Sequence, residues 1–301
     1  MTYAAAIGTF DGLHRGHVAL LEQLRTEADA RGLSTLAVTF SRHPAADLCP
    51  GKAPSMLDTD TRRMERLSAC PHVDSVMVLD FSRMRHLTAC GFMEYLAERD
   101  VRCVLLGHDT RFGSDMPVDF SAYCDAGRNA GIETLIMPQP VSVMGRTVSS
   151  SAIRKCLGDG DMTLAAAMLG RRYTISGKVT AGRRQGHTIG FPTANIRVAD
   201  NLTIPAGGVY AAMISGASLP VPMPAMVNIG TCPTFTGGNA PVTVEAHIIG
   251  WEGDLYGQSP EIEFYERMRD EKHFSTLEAL KEQLVRDKQQ ALDILTHRNA
   301  P

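Results

Sequence analysis

Gly8-Thr9-Phe10-Asp11-Gly12-Leu13-His14-Arg15-Gly16-His17 is the stretch that decides the fold. An apolar run, Ala4-Ala5-Ala6-Ile7, precedes it and reads as a strand; Val18, Leu21, Leu24 and Ala28 follow at the spacing of one helix face. Strand, glycine-rich turn and helix in that order place the unpaired N–H groups of a helix start at the end of a strand. Those groups carry about half a positive charge, which suits a phosphate. Glycines let a backbone approach such a ligand closely. His14 and His17 are three residues apart, so both can reach the same phosphate oxygens from the first helical turn. The plainer alternative is a structural turn with two surface histidines.

Working outward, β-type segments recur at Ser34–Phe40, Asp74–Phe81, Val101–Leu106 and Ile132–Met137. Helical patterns lie between them at Asp58–Ala69, Ala89–Arg99 and Ser121–Ala130. This alternation predicts βαβ units and a parallel, Rossmann-like α/β sheet with ligands at the carboxyl ends of its strands. Thr39-Phe40-Ser41-Arg42-His43-Pro44 and Gly107-His108-Asp109-Thr110-Arg111-Phe112-Gly113 both follow strands. Each is also readable as a plain turn, Asp109 as its turn-forming residue. In Val148-Ser149-Ser150-Ser151-Ala152-Ile153-Arg154 the hydroxyls can cap a helix or bind phosphate oxygens, and Arg154 adds a charged fork.

Past the helical pattern Asp161–Leu169 the chain changes character. Short β-rich runs at Tyr173–Val179, Val209–Ile214, Met226–Ile229, Val242–Ile249 and Glu261–Phe264 are punctuated by Gly and Pro. They predict an antiparallel β-barrel over residues 170–301, after an α/β domain over residues 1–169. Within Gly182–Asn195 the glycines permit a loop over phosphates. Thr193 and Asn195 offer hard oxygens two residues apart, suited to Mg²⁺ or phosphate; a turn is the alternative. On Val242–Ile249, Glu245 alternates away from Val244, Ala246 and Ile248, as a solvated strand carboxylate would. Ser275 and Glu278 form a capping box for a helix to about Ile294, with Leu277, Leu280, Leu284, Ala291 and Leu295 inward.

The whole chain has 301 residues, 44% of them apolar, and a formal charge of −3, enough for two ordinary cores. That charge argues against bulk nucleic-acid binding, though a small phosphate ligand needs only local positive charge. No stretch reads as a signal peptide or approaches a membrane span. The seven cysteines are scattered, odd in number and without a Cys-x-x-Cys pair, which fits a reducing cytoplasm. Oligomeric state is not indicated.

His14-Arg15-Gly16-His17 resembles the His-x-Gly-His of the nucleotidyltransferase superfamily. The longer stretch from Gly8 resembles the N-terminal half of bifunctional riboflavin kinase/FAD synthetases. Gly190-Phe191-Pro192-Thr193-Ala194-Asn195 is similar to the riboflavin kinase core motif. Pro205–Tyr210, Asn228–Phe235, Val244–Ile248 with Asp254–Gly257, and Arg269–Phe274 follow in that family's order. The resemblance runs from Gly8 to about Asp287. It implies phosphorylation of riboflavin to FMN with MgATP in the barrel, and adenylation of FMN to FAD with release of pyrophosphate in the α/β domain. It implies catalytic roles for His14, His17 and Arg154, and for Glu245 as the base that deprotonates a primary hydroxyl. Gly8, Phe10, Gly12, Gly16, Asp109, Ser149, Ser150 and Ser151 would meet ATP or its phosphates in the first half; Gly182, Gly186, Gly190 and Pro192 would do so in the second. Thr193 and Asn195 would hold Mg²⁺, and Arg269, Glu271 and Phe274 would border the flavin. The departures are Ser41, Arg42, Thr110, Ser151, His187 and the altered Ser114–Asp119 region. Thr110, Ala152 and the altered Ser114–Asp119 region motivate one rival, a monofunctional kinase with a decayed first domain. A rival of another class is a non-catalytic flavin sensor, but sensing needs no phosphate loop.

Overall fold

The computed structural model describes residues 1–49, 51–117, 119–137, 139–181, 189–216, 218–231 and 242–297. Gly182 and Gly186, expected to line a loop over phosphates, lie outside the described residues. The chain forms two compact units, Met1–Ser150 and Ser151–Pro301.

The first unit runs β1 (Tyr3–Ile7), α1 (Arg15–Arg31), β2 (Ser34–Phe40), α2 (Pro44–Leu48), α3 (Asp60–Ser68), β3 (Ser75–Leu79), α4 (Phe81–Met84), α5 (Ala89–Ala97), β4 (Val101–Leu106), α6 (Phe120–Asn129) and β5 (Glu133–Ile136). A small hairpin, β6 (Ser142–Val143) with β7 (Arg146–Thr147), follows. The five main strands are all parallel, in the order β3-β2-β1-β4-β5. The alanine-rich β1 is central and feeds both faces. Ala5 and Ile7 pack with Phe92, Leu96 and Tyr123 of α5 and α6; Ala4 and Ala6 pack with Leu21, Leu24 and Ala28 of α1. Burial on both faces is why this strand reads as an unbroken apolar run. The chain steps outward from β1 to β3, then returns to lay β4 on β1's other side. The crevice of such a sheet opens at that reversal, beyond the carboxyl ends of β1 and β4.

The second unit holds α7 (Ser150–Asp159) beyond its first residue, then α8 (Met162–Leu169), β8 (Thr174–Thr180), β9 (Ala194–Val198), β10 (Gly208–Ser215), β11 (Met223–Thr231), β12 (Val242–Ile248), β13 (Glu261–Arg269) and α9 (Leu277–His297). The strands close a barrel in the order β10-β11-β12-β9-β8-β13, with every pair antiparallel, so no sheet edge is left open. Helix α9 covers the outside of β10, β11 and β13, setting Ala291 and Leu295 against Ala211, Met226 and Tyr265.

Strand β9 was not expected, because it begins inside the Pro-Thr-Ala-Asn segment. The cap of α9 differs as well: the Thr276 hydroxyl accepts from Ala279 N at 3.1 Å, so the helix starts one residue beyond the Ser275 box. Leu277, expected inward, is 63% exposed on the overhanging first turn.

Candidate active sites

The turn after β1 is held in a costly conformation. Phe10 (φ +49°), Gly12 (φ +78°) and Leu13 (φ +33°) all occupy the left-handed region, which only glycine enters freely. Tertiary contacts fix it. The Phe10 ring is fully buried against α1, and Leu13 N donates to Phe10 O at 3.1 Å. The buried Asp11 carboxylate accepts from Leu57 N (2.8 Å) and Asp58 N (3.3 Å), while Ser150 Oγ donates to Asp11 O at 3.0 Å. Phe10 thus contributes packing, and Ser150 ties down the turn. A Cβ on Gly8 would make only ordinary contact with the Phe10 ring.

His14 caps α1: its Nδ1 accepts from His17 N at 3.3 Å. An accepting Nδ1 carries no proton, so the neutral ring's N–H is at Nε2. The two imidazoles stack, centroids 3.6 Å apart and 13° from parallel; the Phe10 ring meets His17 edge-on at 5.3 Å. Burial, and then the neighbouring His14, hold the His17 pKa well below the usual imidazole value, so it is neutral near pH 7. His17 Nδ1 is buried without a protein partner. Gly16 is needed for space: a Cβ would come within 3.1 and 3.2 Å of the His14 ring. The arrangement offers neutral donors beside the free N–H groups of a helix start, which is chemistry for an anion.

Arg63 of α3 was missed in the sequence, where a charged residue in a polar helix reads as solvated. It is 1% exposed. Nη1 donates to Thr9 O (3.0 Å) and Thr39 Oγ1 (2.8 Å); Nη2 donates to Phe40 O (2.7 Å), Ser41 O (3.4 Å) and Asp60 Oδ1 (3.0 Å). One guanidinium therefore joins the loop after β1 to the loop after β2. His43 in the second loop caps α2, its Nδ1 accepting from Ala45 N at 3.1 Å. After β4, the Tyr123 hydroxyl pins the next loop by donating to Phe112 O (3.0 Å) and accepting from Phe112 N (3.1 Å). The Asp109 side chain in that loop is 73% exposed and 3.9 Å from His108 Nδ1. Ser149 is half-buried, Ser151 exposed, and Arg154 Nη1 lies 3.5 Å from Ser151 Oγ.

In the barrel, strand register assembles a second polar group. Glu245 of β12 stands opposite Asn195 of β9 and Asn228 of β11, and Asn195 stands opposite Thr180 of β8. Directly opposed residues share a face, so Thr180, Asn195, Glu245 and Asn228 form one row across four strands. Val244, Ala246 and Ile248 point inward. Asn228 Nδ2 donates to Glu271 Oε1 at 3.3 Å, extending the row to the segment after β13. Asn228 opens one of the quoted motifs without being singled out there, and Thr180 lies outside all of them; register brings both into the row. Gly230 lies under the same carboxylate, and a Cβ there would overlap it. Thr193 and Pro192 precede β9, and Gly190 takes φ +80° ahead of them. Arg269 is engaged by α9: Nε and Nη2 clasp Asp287 at 2.6 to 3.1 Å, and Gln283 Nε2 adds a bond to the same carboxylate at 2.8 Å. Phe274 is half-buried between β13 and α9.

Among the described residues no three His, Cys, Asp or Glu side chains are grouped to hold a metal ion, and no helix is long and apolar enough to cross a membrane. Residues 2–152 match the family model for FAD synthetase, and residues 169–295 match that for riboflavin kinase. The bifunctional riboflavin kinase/FMN adenylyltransferase of Escherichia coli (strain K12) is 36% identical over 284 residues, covering 93% of this chain and 89% of that protein. The protein of the same name from Listeria monocytogenes is 33% identical over 295 residues, covering 94% and 90%. A solved structure described as a macrolide-efflux protein from Streptococcus pneumoniae superposes with a TM-score of 0.84 at 29% identity, covering 100% of this chain and 95% of that one.

Proposed function

The chain belongs to the bifunctional riboflavin kinase/FMN adenylyltransferase family, and from that premise we propose which residues carry each reaction. It is an ATP-dependent enzyme that phosphorylates riboflavin to FMN and adenylates FMN to FAD. The two family matches support assigning the adenylyltransferase to residues 1–169 and the kinase to residues 170–301.

The observation that carries the kinase assignment is the Asn195–Glu245–Asn228 row, with Thr193 leading into it. Glu245 accepts the proton of riboflavin's primary hydroxyl as that oxygen attacks the γ-phosphorus of ATP and the bond to ADP breaks. Thr193 and Asn195 present neutral hard oxygens, a donor set suited to Mg²⁺ that arrives with the nucleotide's phosphates. Mg²⁺ supplies charge neutralisation on the transferring phosphoryl group. Glu271, held by Asn228, borders the flavin together with Arg269 and Phe274. In the first half a phosphate oxygen of FMN attacks the α-phosphorus of ATP and pyrophosphate leaves. His14 Nε2–H and the start of α1 stabilise the developing charge, with Gly12 and Gly16 admitting the phosphates. His17, Arg154, Asp109 and the serines at 149–151 are assigned to the same reaction by motif position. Cytoplasmic residence accords with the six described cysteines, all free thiols.

The test supplies full-length protein with ATP and Mg²⁺ plus either riboflavin or FMN, and resolves FMN, FAD and pyrophosphate. His17→Ala should still make FMN from riboflavin but no FAD. Glu245→Gln should still convert supplied FMN to FAD. If Glu245→Gln phosphorylates riboflavin within about threefold of wild type, less than a general base contributes, the base assignment is wrong. Wild-type FAD formation no faster than that of His17→Ala would leave only the kinase.

A further inference from the structure

We propose that His247 is a positioning residue for the kinase reaction: its ring N–H holds the Pro192 carbonyl and so sets where the Thr193 hydroxyl sits. This rests on the reading of Thr193 as a contact of MgATP.

The ladder between β12 and β9 pairs Val244 with Ile196, Glu245 with Asn195 and Ala246 with Ala194, and stops there. One step further would set His247 opposite Thr193. At that step a side chain takes over from the backbone. His247 Nδ1 lies 2.8 Å from Pro192 O, and a carbonyl only accepts, so the proton is on Nδ1. The His247 ring also packs on Phe191, centroids 5.1 Å apart at 56°. Phe191 is itself buried in the cluster beneath α9 with Met226, Ile249 and Leu295. Thr193 is thus one residue between two fixed points: Phe191–Pro192, clamped by His247, and Ala194, fixed by the ladder. His247 is only 9% exposed. An apolar side chain would fill that space without the cost of burying a polar ring, so the hydrogen bond is what a histidine adds there. It stands on the same face of β12 as Glu245, two residues along. One strand therefore carries the assigned base and the clamp that places the assigned phosphate contact.

Full-length H247F, H247N and T193A, with the double variant H247F/T193A, test this. The amide nitrogen of Asn falls near the position of Nδ1 and can still donate to Pro192; Phe fills the space without a donor. For H247F, kcat/KM for MgATP in FMN formation should fall about tenfold, the scale of one lost buried hydrogen bond with misplacement. Riboflavin affinity, read by fluorescence quenching, should stay within twofold, and FMN-to-FAD conversion should be unchanged. H247N should recover to within threefold, and the double variant should be no worse than T193A, since both act through one hydroxyl. If H247F does not fold, H247Q replaces it: its amide reaches to the Nε2 position, and it should show the loss that H247N lacks. Unchanged MgATP constants in H247F or H247Q while T193A is impaired would overturn the proposal. So would equal losses in Asn and Phe variants with additive effects in the double variant, which would make the ring mere packing. T193A with wild-type MgATP dependence would instead refute the underlying reading of Thr193.

Discussion

Replacing Arg63 by Met should unfasten the α/β unit and leave the barrel untouched. Met keeps most of the aliphatic volume and removes the fork. Of the oxygens the fork serves, Thr9 O retains a second donor, the Thr39 hydroxyl at 3.3 Å. The Ser41 bond is already long at 3.4 Å, and the half-exposed Asp60 carboxylate can return to water. Phe40 O, now 2.7 Å from Nη2, loses most. One buried carbonyl left unpaired, plus partial loss at the others, amounts to about 3 kcal/mol. For a unit of this size that is a fall of roughly 6–12 °C in melting temperature. The assay heats full-length wild type and Arg63→Met side by side, then measures FAD formation from FMN and FMN formation from riboflavin in each sample. FAD formation should be lost at the lower temperature while FMN formation survives as in wild type. Arg63→Lys should be intermediate, because a point charge cannot serve a fan of acceptors. Retention of FAD formation to within about 3 °C of wild type would refute the view that this guanidinium joins the two loops.

Two further outcomes are expected. Gly230→Ala should push the Glu271 carboxylate off Asn228, weakening riboflavin binding at least severalfold while the melting temperature moves little, because a flexible side-chain end can give way; fluorescence titration beside a thermal melt checks this. His17 is held neutral by burial, so below the ordinary imidazole pKa of about 6.5 the unfolded chain takes up a proton that the folded chain does not. Stability is therefore lost as pH falls through that value, and calorimetry between about pH 5 and 8 should show a shallower pH dependence for His17→Phe than for wild type; equal slopes would contradict the assignment.

The parallel sheet was legible because each strand is a short apolar run flanked by turn formers; the expected Val101–Leu106 coincides with β4. Strand β9 was not, since Ala-Asn-Ile-Arg-Val is short, half polar and continuous with a turn-like segment. The hairpin at 142–147 has two-residue strands and no pattern to detect. The stacked histidines follow from their spacing, but Arg63 does not follow from composition, because charged residues in helices are normally outside. Asp287 could have been found. It lies three residues after Leu284 and four before Ala291, on the helix stripe that packs inward, and a carboxylate there demands a partner such as Arg269. The polar row of the barrel needs cross-strand register, which no single strand reveals.

The central place of β1 also has a meaning in time. Its first residue pairs with Ser34 on one side but with Val101 on the other. At the usual pace of synthesis, about 5–20 residues per second, roughly 3–13 s separate the appearance of these two partners. For that interval the uncharged Ala-Ala-Ala-Ile segment has an open edge and an unfilled face, the condition in which strands recruit neighbouring chains. In the nascent protein β1 is therefore one-sided until Val101 has been made, and the turn after it is secured later still, when Ser150 reaches Asp11. Slow stretches of translation upstream of Val101 would lengthen the period of exposure; slow stretches beyond β5 would not.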